Sequence, residues 1–216
     1  MNDESANEER VNGAASAGLP TLPPAEECRR IFRAAAMLDA IMSPEWEFRY
    51  YSYNAAWYEG EEMASMRDGQ GSHYFAWFGP QGLMIKGFDQ ELVEAGKTKI
   101  GVAPVPDAVA EFLREPAFMG EETTFCFWML PDESGWTADK PYSEEEFRLL
   151  GLLIGGAEHY REWASEYYET EVDLDAVKRV FAWEPMTEEL LRSLNQELTL
   201  EELAEDLQEI GYPRGE

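Results

Sequence analysis

The acidic run Glu59-Gly60-Glu61-Glu62, with Asp68 and His73 shortly after it, is where the chain holds the groups best able to do chemistry. Carboxylates of this kind are hard oxygen donors that suit a divalent cation, and a nearby imidazole could act as acid or base. Glu61, Glu62, Asp68 and His73 together would suit a metal-assisted hydrolase. The order of the acidic residues does not match the Asp-x-Asp-x-Asp-Gly calcium loop. If the segment is a strand, Glu61 and Glu62 point to opposite sides, so a working carboxylate pair would need a partner from elsewhere. The simpler reading is a charged sheet edge guarded against pairing with other chains.

The remaining candidates are weaker. His159, the other of two histidines, lies between Glu158 and Glu162, which are four apart on one helical face. A carboxylate–histidine metal site is imaginable there, but the second histidine of the helical metalloprotease pattern is missing, and an exposed acidic face is by far the better reading. Zinc normally needs several Cys or His ligands at workable spacing. Cys28 and Cys126 are the only cysteines, both within apolar stretches that favour an inert thiol. No nucleophile elbow and no glycine-rich phosphate loop occurs. The composition calls for no cofactor.

The aromatics offer a different kind of chemistry. Tyr50, Tyr51, Tyr53, Trp57, Tyr58, Tyr74, Phe75, Trp77 and Phe78 fall within one strand-rich stretch. Strand alternation sends some of them outward unless helices cover both sheet faces. Exposed Trp and Tyr anchor protein interfaces. They can also stack bases, but this stretch lacks the basic residues that would hold phosphates.

Positioning these residues requires a sheet. Residues 48–53 alternate as a strand, followed by Glu61–Arg67, His73–Phe78 and Leu83–Phe88, with glycine turns at Asp68–Gly71 and Gly79–Gly82. Thr123–Leu130 adds a fifth, strongly apolar strand. The expected sheet is an antiparallel meander of four to five strands. Before it, Cys28, Ile31, Phe32, Ala35, Leu38 and Ile41 make one face of a helix running from the prolines at 23 and 24 to about Met42. After it come a short helix over 106–113 and a helical C-terminal third. Ser143–Glu146 and Thr199–Glu202 are capping boxes, and Gly155-Gly156 should bend the helix that carries Tyr160, Trp163 and Tyr167. Asp175–Phe181 and Glu188–Leu194 read as short helices. The fold class is α+β: residues 1–19 form a disordered acidic tail and 20–216 one domain, with 142–213 a possible helical subdomain.

Charge narrows the partners. The chain carries 44 acidic against 17 basic side chains, a net charge of −27. That excess disfavours nucleic-acid phosphates and anionic membrane surfaces and favours basic partners. No apolar run is long enough to span a bilayer, the N-terminus is no signal peptide, and the sparse cysteines fit a reducing cytoplasm.

Several of these pieces carry a resemblance. Tyr53-Asn54, the run Trp57-x-x-Gly60-Glu61-Glu62-Met63-Ala64-Ser65-Met66-Arg67-x-Gly69, Tyr74-Phe75 and Ile85-Lys86-Gly87-Phe88 resemble a family of uncharacterised bacterial proteins. Phe112-Leu113-x-Glu115-Pro116-Ala117-Phe118, Thr123–Cys126 and Ile210–Pro213 resemble the same family. The resemblance implies a compact bacterial protein and brings no activity or catalytic residue with it.

The expected function is an acidic cytoplasmic protein-binding module, immunity-like or regulatory, that engages a basic protein partner through Trp57, Tyr58, Glu61, Glu62 and Asp68. The metal-assisted hydrolase is one alternative. A nucleic-acid mimic, with carboxylates in place of phosphates, is another.

Overall fold

The computed structural model describes residues 20–133 and 135–215. The tail expected at 1–19 lies outside them. Helix α1 (Ala25–Met42) begins directly after Pro23 and Pro24, and its apolar stripe is buried along its whole length. A proline at the first turn gives up an N–H that has no helical partner in any case.

Six strands follow in an antiparallel meander whose spatial order equals the chain order. They are β1 (Tyr51–Tyr58), β2 (Glu61–Arg67), β3 (His73–Gly79), β4 (Gly82–Phe88), β5 (Phe125–Met129) and the two-residue β6 (Thr137–Ala138). The expected fold class therefore holds, with one short strand more than the sequence suggests. The expected start of β1 does not hold. Residues 46–48 form a 3-10 turn and the strand begins at Tyr51. Local bonding explains the delay: the Arg49 guanidinium donates to the carbonyls of Ser43 and Pro44, and the Tyr50 and Tyr51 N–H groups donate to the Asp39 carboxylate. The Tyr50 carbonyl still accepts from the Arg67 N–H, but with these N–H groups given to Asp39 the regular pairing begins only at Tyr51.

The turns behave as their residues dictate. Asp68 accepts from the N–H groups of Gln70 and Ser72 and so folds the β2–β3 connection around its own carboxylate. Gly82 has a φ of 110°, and a Cβ there would lie 2.1 Å from the Met129 carbonyl oxygen on β5, so only glycine fits.

Both sheet faces are covered. On one, Tyr51, Tyr53, Met66, Tyr74, Phe78, Ile85 and Phe127 join α1 and the C-terminal helices in one core. Those helices are α4 (Gly151–Tyr167), α5 (Leu174–Phe181), α6 (Glu188–Leu194) and α7 (Ala204–Ile210), entered through a 3-10 segment at Glu144–Leu150. The expected bend in α4 is present: Gly156 has φ 55° and ψ −133°, outside helical values. On the other face, Phe75, Trp77, Met84, Cys126 and Trp128 pack under Val109 and Phe112 of α3 (Asp107–Arg114) and under Phe118. A five-residue helix, α2 (Gln90–Glu94), links β4 to this layer. Most of the aromatics of β1 and β3 are thereby buried, and the candidates left on the surface are few.

Asp39 ties the first layer together. Its buried carboxylate accepts from the Tyr50 and Tyr51 N–H groups and from the Tyr160 hydroxyl of α4, each at 2.8 Å. Burial raises it from an ordinary 3.8 to about 6, against the lowering effect of those donors. A carboxyl whose folded value is raised takes up its proton more readily folded than unfolded. Its ionisation therefore opposes folding, and stability from this group should fall as pH rises from about 4 to about 6, by about 3 kcal/mol in all. Asp39→Asn keeps an oxygen for the two backbone donors and can offer its amide to the Tyr160 oxygen, so it should fold and lose that pH dependence. Asp39→Ala strands three buried donors and should cost at least about 3 kcal/mol in urea unfolding.

Candidate functional site

The residues expected to share a contact surface occupy three places. Glu62 points to the α1 side of the sheet, where Arg29, Arg33 and the Tyr53 hydroxyl bind its carboxylate. Arg29 also lies over the Phe78 ring and Arg33 over the Tyr53 ring. Asp68 serves the turn at the far end of β2, beside an open hollow edged by Tyr50, Trp163 and Tyr167. Only Trp57, Tyr58 and Glu61 gather at one end of the β1–β2 hairpin, with Tyr58 72 % exposed. The four proposed metal ligands do not converge either. Glu61 and Glu62 face opposite ways, Asp68 bonds to backbone, and the buried His73 ring lies against Phe75 and Phe88 with Nδ1 on the Gly71 carbonyl. Nδ1 must be the protonated nitrogen in that contact, and burial lowers the ring's affinity for a second proton. Among the described residues no group of three or more His, Cys, Asp or Glu could hold a metal ion.

Trp57 and Glu61 instead open a cleft of about 260 Å³ on the α3 side, walled by Trp77, Phe112 and Phe118 and edged by Glu111 and Glu115. Strict alternation from Tyr51 and Tyr53 would send Trp57 toward α1. The pairing of β1 with β2 slips between Asn54 and Tyr58. Trp57 packs at 6.0 Å from Phe118, on the opposite face. A bulge of this kind re-aims a side chain. On the floor, the Trp77 indole N–H donates to Glu61 Oε2 at 2.8 Å, fixing that carboxylate and leaving its other oxygen free. Across the cleft, Glu115 accepts from the Ala117 N–H at the start of the 3-10 turn that carries Phe118. Among the described residues none of Glu61, Glu111 and Glu115 forms an ion pair, whereas the adjacent Glu62 has two arginines. The cleft therefore has aromatic walls and a negative rim with no cation of its own. Such a site can hold a positively charged group over a ring face.

No protein-family model, curated protein or solved structure matches the chain.

Other candidates resolve into structure. Both cysteines are free and buried, and burial pushes the Cys28 thiol up to about 12 and the Cys126 thiol higher still. Neither is a thiolate at neutral pH. The His159 ring lies against Gly151, where a Cβ would come 2.4 Å from its Cε1, and Glu158 pairs with Lys178. No helix among the described residues is long and apolar enough to cross a membrane.

The sequence did not single out Glu111, Phe112, Glu115 or Phe118 as site residues. One signal was available: Glu111 and Glu115 are four apart, so Glu115, the residue that ends the short helix, falls on the same side as Glu111. What places them opposite Glu61 is the packing of Val109, Phe112 and Phe118 on the sheet, with the turn after Phe118 held by Lys86. This β4 lysine has 0 % exposure and, among the described residues, no carboxylate in ion-pair contact with its ammonium. It donates to the carbonyls of Met119 and Glu122, at 2.6 and 2.9 Å, and lies over the Phe75 ring. Met119 adopts a left-handed backbone there, with φ 50°.

Burial lowers the Lys86 ammonium from an ordinary 10.5 to about 8. A lysine with a lowered folded value binds its proton more weakly folded than unfolded. Stability from this group should therefore rise between pH 8 and 10.5 and be flat below pH 8. Lys86→Met should remove that rise, measured as the difference between the two proteins so that the buried tyrosines cancel. It should also speed amide exchange across residues 118–122, because the turn loses its pin.

Proposed function

We propose that this protein is a binding module that docks a basic protein partner at the hairpin end of the sheet, as an immunity or regulatory protein does. The observation that carries the reading is the aromatic cleft edged by three glutamates with no ion pair, in a chain of net charge −27. Trp57 and Tyr58 supply rigid, partly exposed contact area at a low entropic cost, the property that makes such residues interface anchors. The long-range field of the chain would steer a basic partner, and the cleft would hold it.

The same geometry divides the contact residues named from the sequence. Trp57, Tyr58 and Glu61 belong to the docking end. Glu62 has its charge balanced by Arg29 and Arg33, and Asp68 is committed to its turn. The test is affinity capture from lysate of the native host followed by a salt-wash series, comparing the unmodified chain with three variants. One dominant basic partner, released by salt, is expected. Trp57→Ala and Glu61→Gln should each weaken its capture by about thirtyfold, the loss typical of an interface hot spot. Asp68→Asn keeps its turn acceptor and should bind normally. Capture indifferent to both Trp57 and Glu61 would remove the reading.

A further inference from the structure

The cleft also defines what kind of group fills it. We infer that it is a receptor for a single arginine side chain, whose guanidinium lies over the Trp57 ring at the cleft and bridges the carboxylates of Glu61 and Glu115. This rests on the docking reading above and makes it specific.

Size is the first argument. A volume of about 260 Å³ lies below the range of about 300–1,000 Å³ usual for sites that enclose a drug-sized ligand. One long side chain is a better match than a free organic molecule. Charge is the second. The carboxylates at the rim have no cation among the described residues, and no group there could hold a metal ion. An incoming cation would meet unbalanced charge beside apolar walls, where screening by water is weaker than on an open surface.

Shape decides between the two basic side chains. The Trp57 and Phe118 ring centres are 6.0 Å apart and inclined by 33°. A planar group slotted between two rings needs about 7 Å, two contact distances of about 3.5 Å, so the ligand must lie over one ring rather than between two. Glu61 presents an oriented carboxylate, because the Trp77 N–H already holds Oε2, and Trp77 is itself only 9 % exposed. Glu115 is held by the Ala117 N–H. Two fixed carboxylates beside an aromatic face suit a planar ion with five in-plane donors, which can stack and still reach both. An ammonium offers three donors about one point and no face to stack.

The probe is a short peptide, N-acetyl-Gly-Arg-Gly-amide, with its lysine and citrulline counterparts, titrated into the ¹⁵N-labelled full chain. The seven indole N–H signals are assigned by single Trp→Phe variants, including Trp57→Phe and Trp77→Phe. The arginine peptide should move the Trp57 and Trp77 signals together. The citrulline peptide, which keeps the shape and loses the charge, should leave them unmoved. Glu61→Gln should weaken the arginine peptide by about tenfold or more, as loss of a charge-assisted bond does. Glu115→Gln is the second variant should Glu61→Gln fail to fold.

Equal shifts from arginine and citrulline peptides, or none at Trp57 and Trp77, would overturn the inference. Lysine binding as tightly as arginine would also overturn it, since the planar group would then have no role. Partner capture that depends on Trp57 while the arginine peptide fails would sink this inference and leave the docking reading standing. The reverse pattern would keep the guanidinium site and remove the docking reading.

Discussion

The fold depends on one buried carboxylate. Asp39 sits inside α1, yet its oxygens serve two other elements: the backbone at the start of β1 and the Tyr160 hydroxyl of α4. A helix, a sheet edge and the C-terminal helices could slide past one another if only apolar contacts joined them. Hydrophobic packing is non-directional, and several offsets would bury similar area. Three directed hydrogen bonds to one side chain select a single offset. The cost is a charge held in the core, visible in a carboxyl raised to about 6. Burial raises it by more than the three donors lower it, so Asp39 contributes uniqueness of arrangement more than net stability.

The same balance between charge and burial is struck differently at three other positions. Glu62 is drawn onto the α1 face and neutralised by Arg29 and Arg33, which stack in turn on Phe78 and Tyr53. Lys86 has no ion-paired carboxylate among the described residues and is held by two carbonyls, like a tethered ion in a ring of oxygens. Glu61 has only an indole N–H. The first arrangement closes a layer. The second fixes the turn that brings Phe118 over the sheet. The third leaves a charge facing outward at an end of the hairpin where aromatic surface is also exposed. Neighbouring residues of one type can therefore have opposite fates, because a strand sends them to opposite faces.

That alternation explains what was legible in the sequence. The meander could be read from Gly69, Gly71, Gly79 and Gly82 between apolar runs, and α1 from its stripe of Cys28, Ile31, Phe32, Ala35 and Leu38, because turn chemistry and periodicity are local signals. The separation of Glu61 from Glu62 was also legible as a period of two. Three features were not. The late start of β1 depends on Asp39, eleven and twelve residues before its two backbone donors. The position of Trp57 depends on a slip in pairing that breaks the period. The far wall of the cleft depends on Phe112 and Phe118 packing on the sheet, with the turn after Phe118 held by Lys86 through carbonyls more than thirty residues away. Each is a long-range contact or a local fault in a regular pattern, and neither leaves a periodic trace. The aromatic stretch suggested an exposed surface for the same reason: alternation says that two faces exist, and only tertiary structure says that α3 covers the second.

The docking reading asks the cleft to hold a group rather than to transform one. Acid–base catalysis needs a titrating group near its working pH that can reach a reacting atom. The cleft's ionisable residues are glutamates, and the two anchored ones accept hydrogen bonds from protein donors. Asp39, His73, Lys86 and the two cysteines, whose affinities burial displaces, sit at structural positions, and none of them lines the cleft. These displaced groups are thus set apart from the cleft. A catalytic site normally brings the two together, whereas a docking site needs only a shaped recess and a charge that waits for its partner.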